Sequence, residues 1–340
     1  MKGIITSEME LVKNSQQNFD LDGVRAQLNN DWPTVNLKIV ENLQSDVALV
    51  NSVSHYIINS GGKRLRPLLV LLAARACGYE GDKHILAAVI IEFIHTATLL
   101  HDDVVDSSEL RRGQNTANSV FGNQASVLVG DFLYSRAFQM MVDIDSMRIM
   151  QILADATNTI AAGEVMQLMN VHDPDTSEDA YRQVIYRKTA RLFEAGAQIA
   201  AVLADKEQAV EDRMISYGQN LGCAFQLVDD ALDFNASAEE LGKNIGDDLA
   251  EGKATLPLIR AMQQASESDV AIIREAIREG GLDQLDKITS IIESTGALQY
   301  TSARAQEAAA EAIAALSDVP ESDHKQALIA LAEFSVSRRS

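Results

Sequence analysis

The sequence predicts an all-α protein, a bundle of roughly ten or more helices, and three observations support this fold class. Only five of the 340 residues are proline. Between the prolines lie long stretches rich in Ala, Leu, Glu and Gln, with apolar residues at helical spacing. Stretches rich in Val and Ile, such as residues 87–94, continue into helical periodicity without turn residues at their ends, so strands are not predicted there.

The chain is predicted to form one domain over residues 21–340. Hydrophobic residues make up 46% and charged residues 23%, which is the composition of a globular protein with a sizeable core. Nothing after about residue 40 marks a linker. Residues 1–20 are polar and lack the apolar stretch of a signal peptide, so we expect them to form an N-terminal tail that need not be ordered.

Charge and cysteine usage exclude several classes of function. A formal net charge of −20 argues against binding to nucleic acid or to an anionic membrane surface, because both recruit basic patches. The apolar run over residues 85–100 carries Glu92 and His95 and is too short for a bilayer, so we predict a core helix and no transmembrane segment. Cys77 and Cys223 lack metal-ligand or redox spacing, which favours buried thiols and a cytoplasmic protein.

Two acidic clusters share the pattern Asp-Asp-x-x-Asp. The first runs from Asp102 to Asp106 and the second from Asp229 to Asp233. On a helix the first and last aspartates of each cluster share a face, and Mg²⁺ prefers such carboxylate oxygens together with substrate phosphates. The alternative, a solvated acidic face, explains the pair poorly, because both copies follow apolar residues where an unpaired carboxylate would be costly. The sequence therefore predicts a magnesium site.

Basic segments accompany the acidic clusters. Residues 61–67, Gly-Gly-Lys-Arg-Leu-Arg-Pro, place three cations at a glycine-rich helix start, where phosphate can be held. This segment is not a Walker A loop, because Arg64 follows Lys63 and the upstream glycine is absent. Further cations stand at Arg111–Arg112, at Lys188, and at Lys243 and Lys253. An acidic protein that groups its bases near its acids is predicted to bind a polyanion through metal and basic side chains together.

These motifs, with Leu-Arg-Arg-Gly at residues 110–113, Gly-Glu-Val-Met-Gln-Leu at residues 163–168 and Lys188–Thr189, resemble the trans-isoprenyl diphosphate synthases over about residues 42–338. The resemblance implies an isoprenoid-synthase bundle around a deep central cavity, with the two aspartate clusters facing each other across its mouth. It also implies a homodimer that requires Mg²⁺.

The resemblance implies a role for each matching residue. Metal binding on the allylic diphosphate falls to Asp102, Asp106, Asp229 and, through water, Asp233. The same diphosphate is held by Arg111, Lys188, Lys243 and, with a one-residue adjustment of the match, Lys253. Isopentenyl diphosphate is bound by Lys63, Arg66, His95 and Arg112. The catalytic residues are Lys188, Thr189 and Gln226, of which Thr189 and Gln226 lie beside the developing allylic cation.

The expected reaction is the sequential head-to-tail condensation of isopentenyl diphosphate onto an allylic diphosphate, from farnesyl diphosphate to octaprenyl diphosphate for quinone side chains. Relatives that make short products tend to place an aromatic residue one turn before the first aspartate. Ala97 and Thr98 occupy that turn here, so we expect the product tail to pass them. The tunnel is then expected to continue past Ala87, Ile91 and Ile94 and to end at Phe132, Phe138 and Met141.

Three other functions fit the sequence less well. Glu92 and His95 form half of a di-iron signature, and Glu321 and His324 repeat it in a polar stretch, but di-iron chemistry leaves both aspartate clusters unexplained. A non-catalytic partner subunit should lose an aspartate cluster. A terpene cyclase has no use for an isopentenyl diphosphate site.

Overall fold

The computed structural model describes residues 20–111, 113–234 and 246–337. Over these residues the all-α prediction is confirmed. Helices form almost all of the regular structure, and the strands found in this part of the chain are the antiparallel pair β1 (Leu110–Arg111) and β2 (Gln114–Asn115). This short hairpin directly follows the first aspartate cluster.

The helices of the N-terminal half are α1 (Leu21–Gln27), α2 (Asp31–Asn42), α3 (Ala48–Asn59), α4 (Leu65–Ala76), α5 (Lys83–Val105), α6 (Ala117–Phe121), α7 (Asn123–Ile144) and α8 (Met147–Asn170). The second half contains α9 (Glu178–Ile185), a π-helical turn (Tyr186–Ala190), α10 (Arg191–Leu203), α11 (Gln208–Leu232), α12 (Asp247–Ala250), α13 (Leu256–Gln264), α14 (Glu267–Glu279), α15 (Leu285–Ser294), α16 (Ala297–Ala315) and α17 (Asp323–Ser337).

Serine side chains cap the N-termini of three of these helices. Ser146, Ser177 and Ser266 have extended backbone angles, and each hydroxyl accepts a hydrogen bond from an amide in the following turn, at 3.4, 3.2 and 3.3 Å. Each bond satisfies one of the amides that a helix start leaves without a partner. At the other end of α14, Gly280 ends the helix with a left-handed φ of 64°, a conformation that glycine adopts at little cost.

The core is built around α4 and α5. Every residue over 68–74 of α4 has no exposed surface, and residues 88–91 of α5 are equally buried. By length and composition α5 is the one helix of the described residues that could cross a membrane, but 67% of its most apolar window is buried inside the protein. It is therefore the core helix that the sequence predicts.

Two clusters of buried side chains share α11 and α16. The larger is centred on α4, α5, α7 and α10, and the smaller on α13, α14 and α15. Tyr217 of α11 belongs to the first cluster, whereas Leu232 near the end of the same helix belongs to the second. Helices that continue from one core into the other support our proposal that the chain after residue 20 forms one domain.

Asp31 ties three helices together. Its carboxylate accepts hydrogen bonds from Arg75 Nε at 2.7 Å and Nη2 at 2.9 Å, and from His84 Nε2 at 2.8 Å. Burial acts to raise the pKa of Asp31, but the hydrogen bonds from Arg75 and His84 outweigh it and lower the pKa. Burial, together with the charge of Arg75, lowers the pKa of His84 although Asp31 acts to raise it. The network therefore joins α2, α4 and α5 through an ionised carboxylate and a neutral imidazole.

Both lowered pKa values make the fold less stable in acid. His84 binds a proton more weakly when folded, so its contribution is present above the ordinary pKa of 6.5 and is lost as the pH falls below it. The contribution of Asp31 is present above its ordinary pKa of 3.8 and is lost at lower pH.

We expect Asp31→Asn to reduce the free energy of unfolding by about 1.5–3 kcal/mol at pH 7, measured by urea denaturation.

The control for this experiment is Glu41→Gln, which breaks the ion pair with Lys38. That pair is 2.8 Å long, but its side chains are 48% and 59% exposed, so its loss should change stability by less than about 1 kcal/mol. Equal stability of wild type and Asp31→Asn would contradict the role given to the Asp31 network.

Candidate active site

Both aspartate clusters lie at the C-terminal ends of long helices. Asp102 stands in the last turn of α5 and Asp106 caps it, while Asp229 stands in the last turn of α11 and Asp233 caps that helix. The C-terminal end of a helix carries partial negative charge from its free carbonyl groups, so carboxylates there are unfavourable without cations. This repeated arrangement indicates a site built to hold positive charge.

Lys188 supplies one of those charges. Its Nζ lies 2.7 Å from Glu164 Oε2, 2.7 Å from Gln167 Oε1 and 3.5 Å from Asp102 Oδ2. Burial acts to lower the pKa of Lys188, but the carboxylates of Asp102 and Glu164 raise it further than burial lowers it. The ammonium group is therefore held charged. Burial, together with neighbouring carboxylates, raises the pKa of Asp102, and it raises the pKa of Glu164 to about 7.

Lys253 supplies a second charge, next to the last aspartate of the first cluster. Its Nζ lies 3.0 Å from Asp106 Oδ2 and also pairs with Glu251. Burial opposes the charged form, but Asp248, Asp106 and Glu251 raise the pKa of Lys253. The side chain is only 11% exposed. Sequence analysis placed Lys253 with the diphosphate ligands, and the structure brings it to the first aspartate cluster.

Asp248 connects the two clusters electrostatically. Burial raises its pKa, and the charges that act on it are those of Lys253, Asp229, Lys188 and Asp106. One carboxylate thus interacts with members of both clusters and with both lysines. Because Asp248 lies in the first turn of α12, the short helix that follows the second cluster, the fold brings this helix back to the site.

Asp233 fixes the start of α12. Its carboxylate accepts hydrogen bonds from the backbone amides of Asp247 at 3.1 Å and Asp248 at 3.3 Å. Burial, and then the charges of Asp248 and Asp247, raise the pKa of Asp233 to about 9. A carboxylate that already binds two amides is oriented by the protein, which suits the indirect metal role that the family resemblance implies for it.

Thr189 and Gln226 are joined by a hydrogen bond from Thr189 Oγ1 to Gln226 Oε1 of 2.9 Å. The amide nitrogen of Gln226 donates to Asp230 Oδ1 at 2.8 Å, and the buried hydroxyl of Tyr181 donates to the other oxygen of Asp230. Burial raises the pKa of Asp230 to about 8. The middle aspartate of the second cluster therefore orients Gln226.

The π-helical turn aims Lys188 and Thr189 at different partners. The amide of Arg191 bonds the carbonyl of Tyr186 five residues earlier, which adds one residue to the turn. Lys188 consequently reaches Glu164 on α8 while Thr189 reaches Gln226 on α11. Such turns occur often at functional sites because they redirect side chains without ending the helix.

Two glycines allow the neighbouring helices to approach this turn. A Cβ at Gly163 of α8 would lie 2.7 Å from the Arg187 Cβ and 3.0 Å from the Lys188 amide nitrogen. A Cβ at Gly222 of α11 would lie 2.5 Å from the Ala190 Cα. Larger residues would push the helices apart, so these glycines determine how closely Glu164 and Gln226 come to their partners.

A basic site lies at the start of α4. Arg66 Nη1 lies 3.0 Å from His95 Nε2, and the Arg66 guanidinium stacks on the ring of Phe193 at 4.5 Å. Because a guanidinium can only donate, His95 accepts through Nε2. The Lys63 ammonium lies 5.2 Å from the centre of the Phe334 ring. The fold thus holds Lys63 and Arg66 against aromatic rings, and it holds His95 against the Arg66 guanidinium.

Of the remaining predicted ligands, the structure describes Arg111. Arg111 makes an ion pair with Asp103, the middle aspartate of the first cluster, through Nε at 2.8 Å and Nη2 at 2.6 Å. The Asp103 side chain is completely buried, so this pair anchors the hairpin strand β1 to the end of α5. Arg112 and Lys243 lie outside the described residues.

The carboxylates fit a hard cation such as Mg²⁺. The donors gathered by the two clusters are all oxygen, and burial opposes the charged forms of Asp102, Asp233 and Asp248. Over the ranges described, no three His, Cys, Asp or Glu side chains already converge on one point. Lys188 and Lys253 instead neutralise the first cluster, each through an ion pair with an aspartate.

A cavity of about 820 Å³ extends from this charged mouth between α5, α7 and α8. The mouth is lined by carboxylates such as Asp102 and Glu164, and the length beyond it is largely apolar. Its apolar and weakly polar lining includes Thr98, Tyr134, Phe138, Ile160, Val165 and Leu168. The cavity therefore offers space for an apolar chain attached to a charged group.

The residues of the predicted tail route fall into two groups in the structure. Thr98 and Phe138 line the cavity, whereas Ala97 is fully buried and does not. Successive residues of a helix point about 100° apart, so Ala97 turns away from the face that carries Thr98 and Asp102. Three further residues of α5 that were expected along the tunnel are buried in the core, and two expected at its end do not line the cavity: Ala87, Ile91 and Ile94, and Phe132 and Met141.

Sequence analysis missed three residues that contact or face the lysines, namely Glu164, Gln167 and Asp248. Glu164 directly follows Gly163, and Gln167 lies three residues later on the same face of α8; both belong to the motif at residues 163–168, which was the available signal but was given no role. Asp248 had a weaker signal, because its position between Gly246 and Lys253 indicates a turn but no partner.

The chain is similar to known proteins over most of its length. Residues 47–295 match the family model described as polyprenyl synthetase. The chain is 52% identical over 324 residues to octaprenyl diphosphate synthase of Haemophilus influenzae, covering 95% of this chain and 98% of that protein. It is 53% identical over 309 residues to octaprenyl diphosphate synthase of Escherichia coli K12, covering 91% and 96%.

Solved structures agree as well. A polyprenyl synthase from Caulobacter crescentus CB15, complexed with calcium and isoprenyl diphosphate, superposes with a TM-score of 0.90 at 45% identity and covers 94% of this chain and 98% of that one. A decaprenyl diphosphate synthase from Rhodobacter capsulatus superposes with a TM-score of 0.89 at 41% identity, covering 94% and 99%.

The close approach at Gly163 predicts the effect of one methyl group. Gly163→Ala should lower the free energy of unfolding by about 1–3 kcal/mol, because the added Cβ meets backbone and Cβ atoms of the π-helical turn. The matched control is Gly281→Ala, where an added Cβ meets nothing within 4 Å. Thermal and urea denaturation would measure both variants, and equal stabilities would show that α8 does not depend on this contact.

Proposed function

The chain belongs to the polyprenyl synthetase family, and we propose that it extends farnesyl diphosphate to octaprenyl diphosphate for quinone side chains. It is a prenyltransferase that condenses isopentenyl diphosphate head-to-tail onto an allylic diphosphate and builds long trans-polyprenyl chains. The finer proposal is supported by one observation: Asp102 and Asp106 line an 820 Å³ cavity with a largely apolar interior, and they form ion pairs with Lys188 and Lys253.

The first step breaks the carbon–oxygen bond between the allyl group and its diphosphate. Negative charge then accumulates on the leaving diphosphate, and we assign its stabilisation to Lys188, Lys253 and Arg111. Neighbouring carboxylates keep both lysines charged, so each lysine can bind a phosphate without first taking up a proton. Lys243 is assigned the same role from the family resemblance.

Magnesium would be held by Asp102, Asp106 and Asp229, with Asp233 assisting through water. Bound there, it would neutralise charge on the diphosphate as the bond breaks. The protein's own contribution is to gather these carboxylates at two helix ends, where partial negative charge from the helices adds to their demand for a cation.

Positive charge develops on the allyl fragment beside Thr189 and Gln226. The hydrogen bond between them and the bond from Gln226 to Asp230 fix the direction of both dipoles before the substrate binds. Fixed dipoles stabilise a developing charge without the cost of reorientation. The apolar lining of the cavity excludes water that would otherwise trap the cation.

Isopentenyl diphosphate is assigned to Lys63, Arg66 and His95, with Arg112 added from the family resemblance. The double bond of this substrate attacks the allylic cation, and loss of one proton completes the five-carbon extension. No side chain stands out as the base, so we assign the proton to the released diphosphate. The longer product then serves as the allylic substrate of the next cycle.

We further propose that the protein is a homodimer. Several large apolar side chains of α7 and α8 are exposed on the single chain: Leu128, Val142, Val165, Leu168 and Met169 are between 59% and 77% exposed. Exposed apolar surface of this extent favours burial against a second copy. Sedimentation analysis should give twice the mass of one chain, and a monomer at micromolar concentration would contradict the proposal.

A reducing compartment, the cytoplasm, is proposed from the cysteines. Cys77 is buried, Cys223 is partly buried, and neither forms a disulfide. Fractionation of cells that express the protein would test this location, and recovery from an oxidising compartment would contradict it.

The overall function is tested by incubation with radiolabelled isopentenyl diphosphate, farnesyl diphosphate and Mg²⁺, followed by sizing of the dephosphorylated products. Wild type should give octaprenyl products. Asp102→Ala and Asp229→Ala should each lower turnover by about 10²- to 10³-fold or more, because each removes a ligand used in the charge-developing step. Asp283→Ala removes an exposed aspartate and is the matched control. Full activity with excess chelator, or in either cluster variant, would contradict the metal assignment.

The two diphosphate sites should separate kinetically. Lys63→Ala should raise the KM for isopentenyl diphosphate about ten- to a hundred-fold, because a charge-assisted contact contributes about 1.5–3 kcal/mol. Lys188→Ala should instead impair the allylic half of the reaction. If Lys63→Ala weakened binding of farnesyl diphosphate alone, the two sites would be reversed.

Product length should respond to Thr98 and not to Ala97. Thr98→Tyr places a ring in the cavity one turn before Asp102, so the main products should shorten toward the farnesyl to geranylgeranyl class. Ala97→Tyr should overpack the core at a cost of about 1–3 kcal/mol and leave the product length of any folded enzyme unchanged. Mass analysis of the products checks both, and long products from an active Thr98→Tyr enzyme would show that the tail takes another route.

A further inference from the structure

His172 follows α8 directly and has an unusual backbone conformation. Its φ is +64°, in the left-handed region that costs a residue with a side chain roughly 1–2 kcal/mol. The surrounding contacts must therefore hold it in place.

Those contacts join three separate segments. The His172 amide donates to the carbonyl of Gly252 at 2.8 Å, and its ring Nδ1 lies 3.1 Å from the carbonyl oxygen of Ile277, near the end of α14. A carbonyl can only accept, so Nδ1 carries the proton. The end of α8, the segment after α12 and the end of α14 all meet at this one residue.

The imidazole ring occupies space that two glycines leave open. A Cβ at Gly252 would lie 2.3 Å from the ring Nδ1, and a Cβ at Gly280 would lie 3.0 Å from the ring Cε1. Both glycines have positive φ values, of 72° and 64°. The ring therefore packs directly on the backbone of the residue that precedes Lys253.

We propose that His172 is a positioning residue that sets the place of Lys253 at the mouth of the cavity. Gly252 and Lys253 are adjacent, and the Lys253 amide also donates to the carbonyl of Asp248 at 2.8 Å. Moving Gly252 would therefore move both the ammonium group that pairs with Asp106 and the segment that carries Asp248. His172 and Glu251 also line the same cavity, so the contact lies beside the site and not behind it. The inference rests on the proposed role of Lys253 in holding the allylic diphosphate.

A double-mutant cycle with Lys253 tests the proposal. His172→Ala should lower kcat/KM for farnesyl diphosphate about 10- to 100-fold and leave the KM for isopentenyl diphosphate within about twofold. In a Lys253→Ala background the same substitution should change kcat/KM less than about threefold, because the group that it positions is gone. A purely structural role would give additive losses in the cycle.

Two further variants separate the effect of the imidazole ring on activity from the effect of the strained backbone. His172→Gly removes the ring but accepts the positive φ, so it should fold at least as stably as His172→Ala and remain impaired in catalysis. His172→Asn tolerates the same φ and keeps an amide donor, so it should recover most of the lost activity. Urea denaturation of each variant separates loss of fold from loss of position.

Each outcome bears on one assignment. Wild-type kinetics in His172→Gly, or additive losses with Lys253→Ala, would overturn the positioning role while leaving the prenyltransferase assignment intact. Full activity of Lys253→Ala alone would overturn the diphosphate role of Lys253 and, with it, the inference for His172. If the wild-type enzyme formed no polyprenyl product, the proposed function itself would be wrong.

Discussion

The structure depends on the balance of charge where two helices end in aspartates. Helix ends of this polarity disfavour carboxylates, and burial disfavours them further. Lys188 and Lys253 provide the opposing charge, each paired with a member of the first cluster. The segments that carry the two lysines are contacted by α8 at Gly163 and by His172 at Gly252, and the Lys253 amide donates to the carbonyl of Asp248 in α12.

The charged and the apolar parts of the site occupy different stretches of the same helix. Asp102 and Asp106 lie in the last turn of α5 and its cap, whereas Thr98 begins the wall of the cavity one turn earlier. On the proposed mechanism, bond breaking at one end and accommodation of the tail at the other would use different residues. A change in the cavity wall can alter the space for the tail while the ion pairs of Lys188 and Lys253 stay unchanged.

Much of the fold and the site could be predicted because their signals are local. The i, i+4 aspartates and the apolar spacing of α5 are visible in the sequence alone, and the all-α fold follows from them and from the scarce prolines. Partnerships between distant segments could not be predicted. Nothing in the sequence pairs Lys188 with Glu164 or Arg111 with Asp103, and the choice of Thr98 over Ala97 depends on how α5 is rotated against its neighbours.

The π-helical turn at Tyr186–Ala190 makes this arrangement hard to undo in evolution. Deleting one residue there would restore a regular helix with better hydrogen bonds. It would also rotate the side chains that follow the deletion by about 100° about the helix axis, relative to those that precede it. Lys188 and Thr189 could then no longer face α8 and α11 together. On the proposed mechanism such a deletion would remove activity even though it improves the local hydrogen bonds, so selection for activity would retain the extra residue.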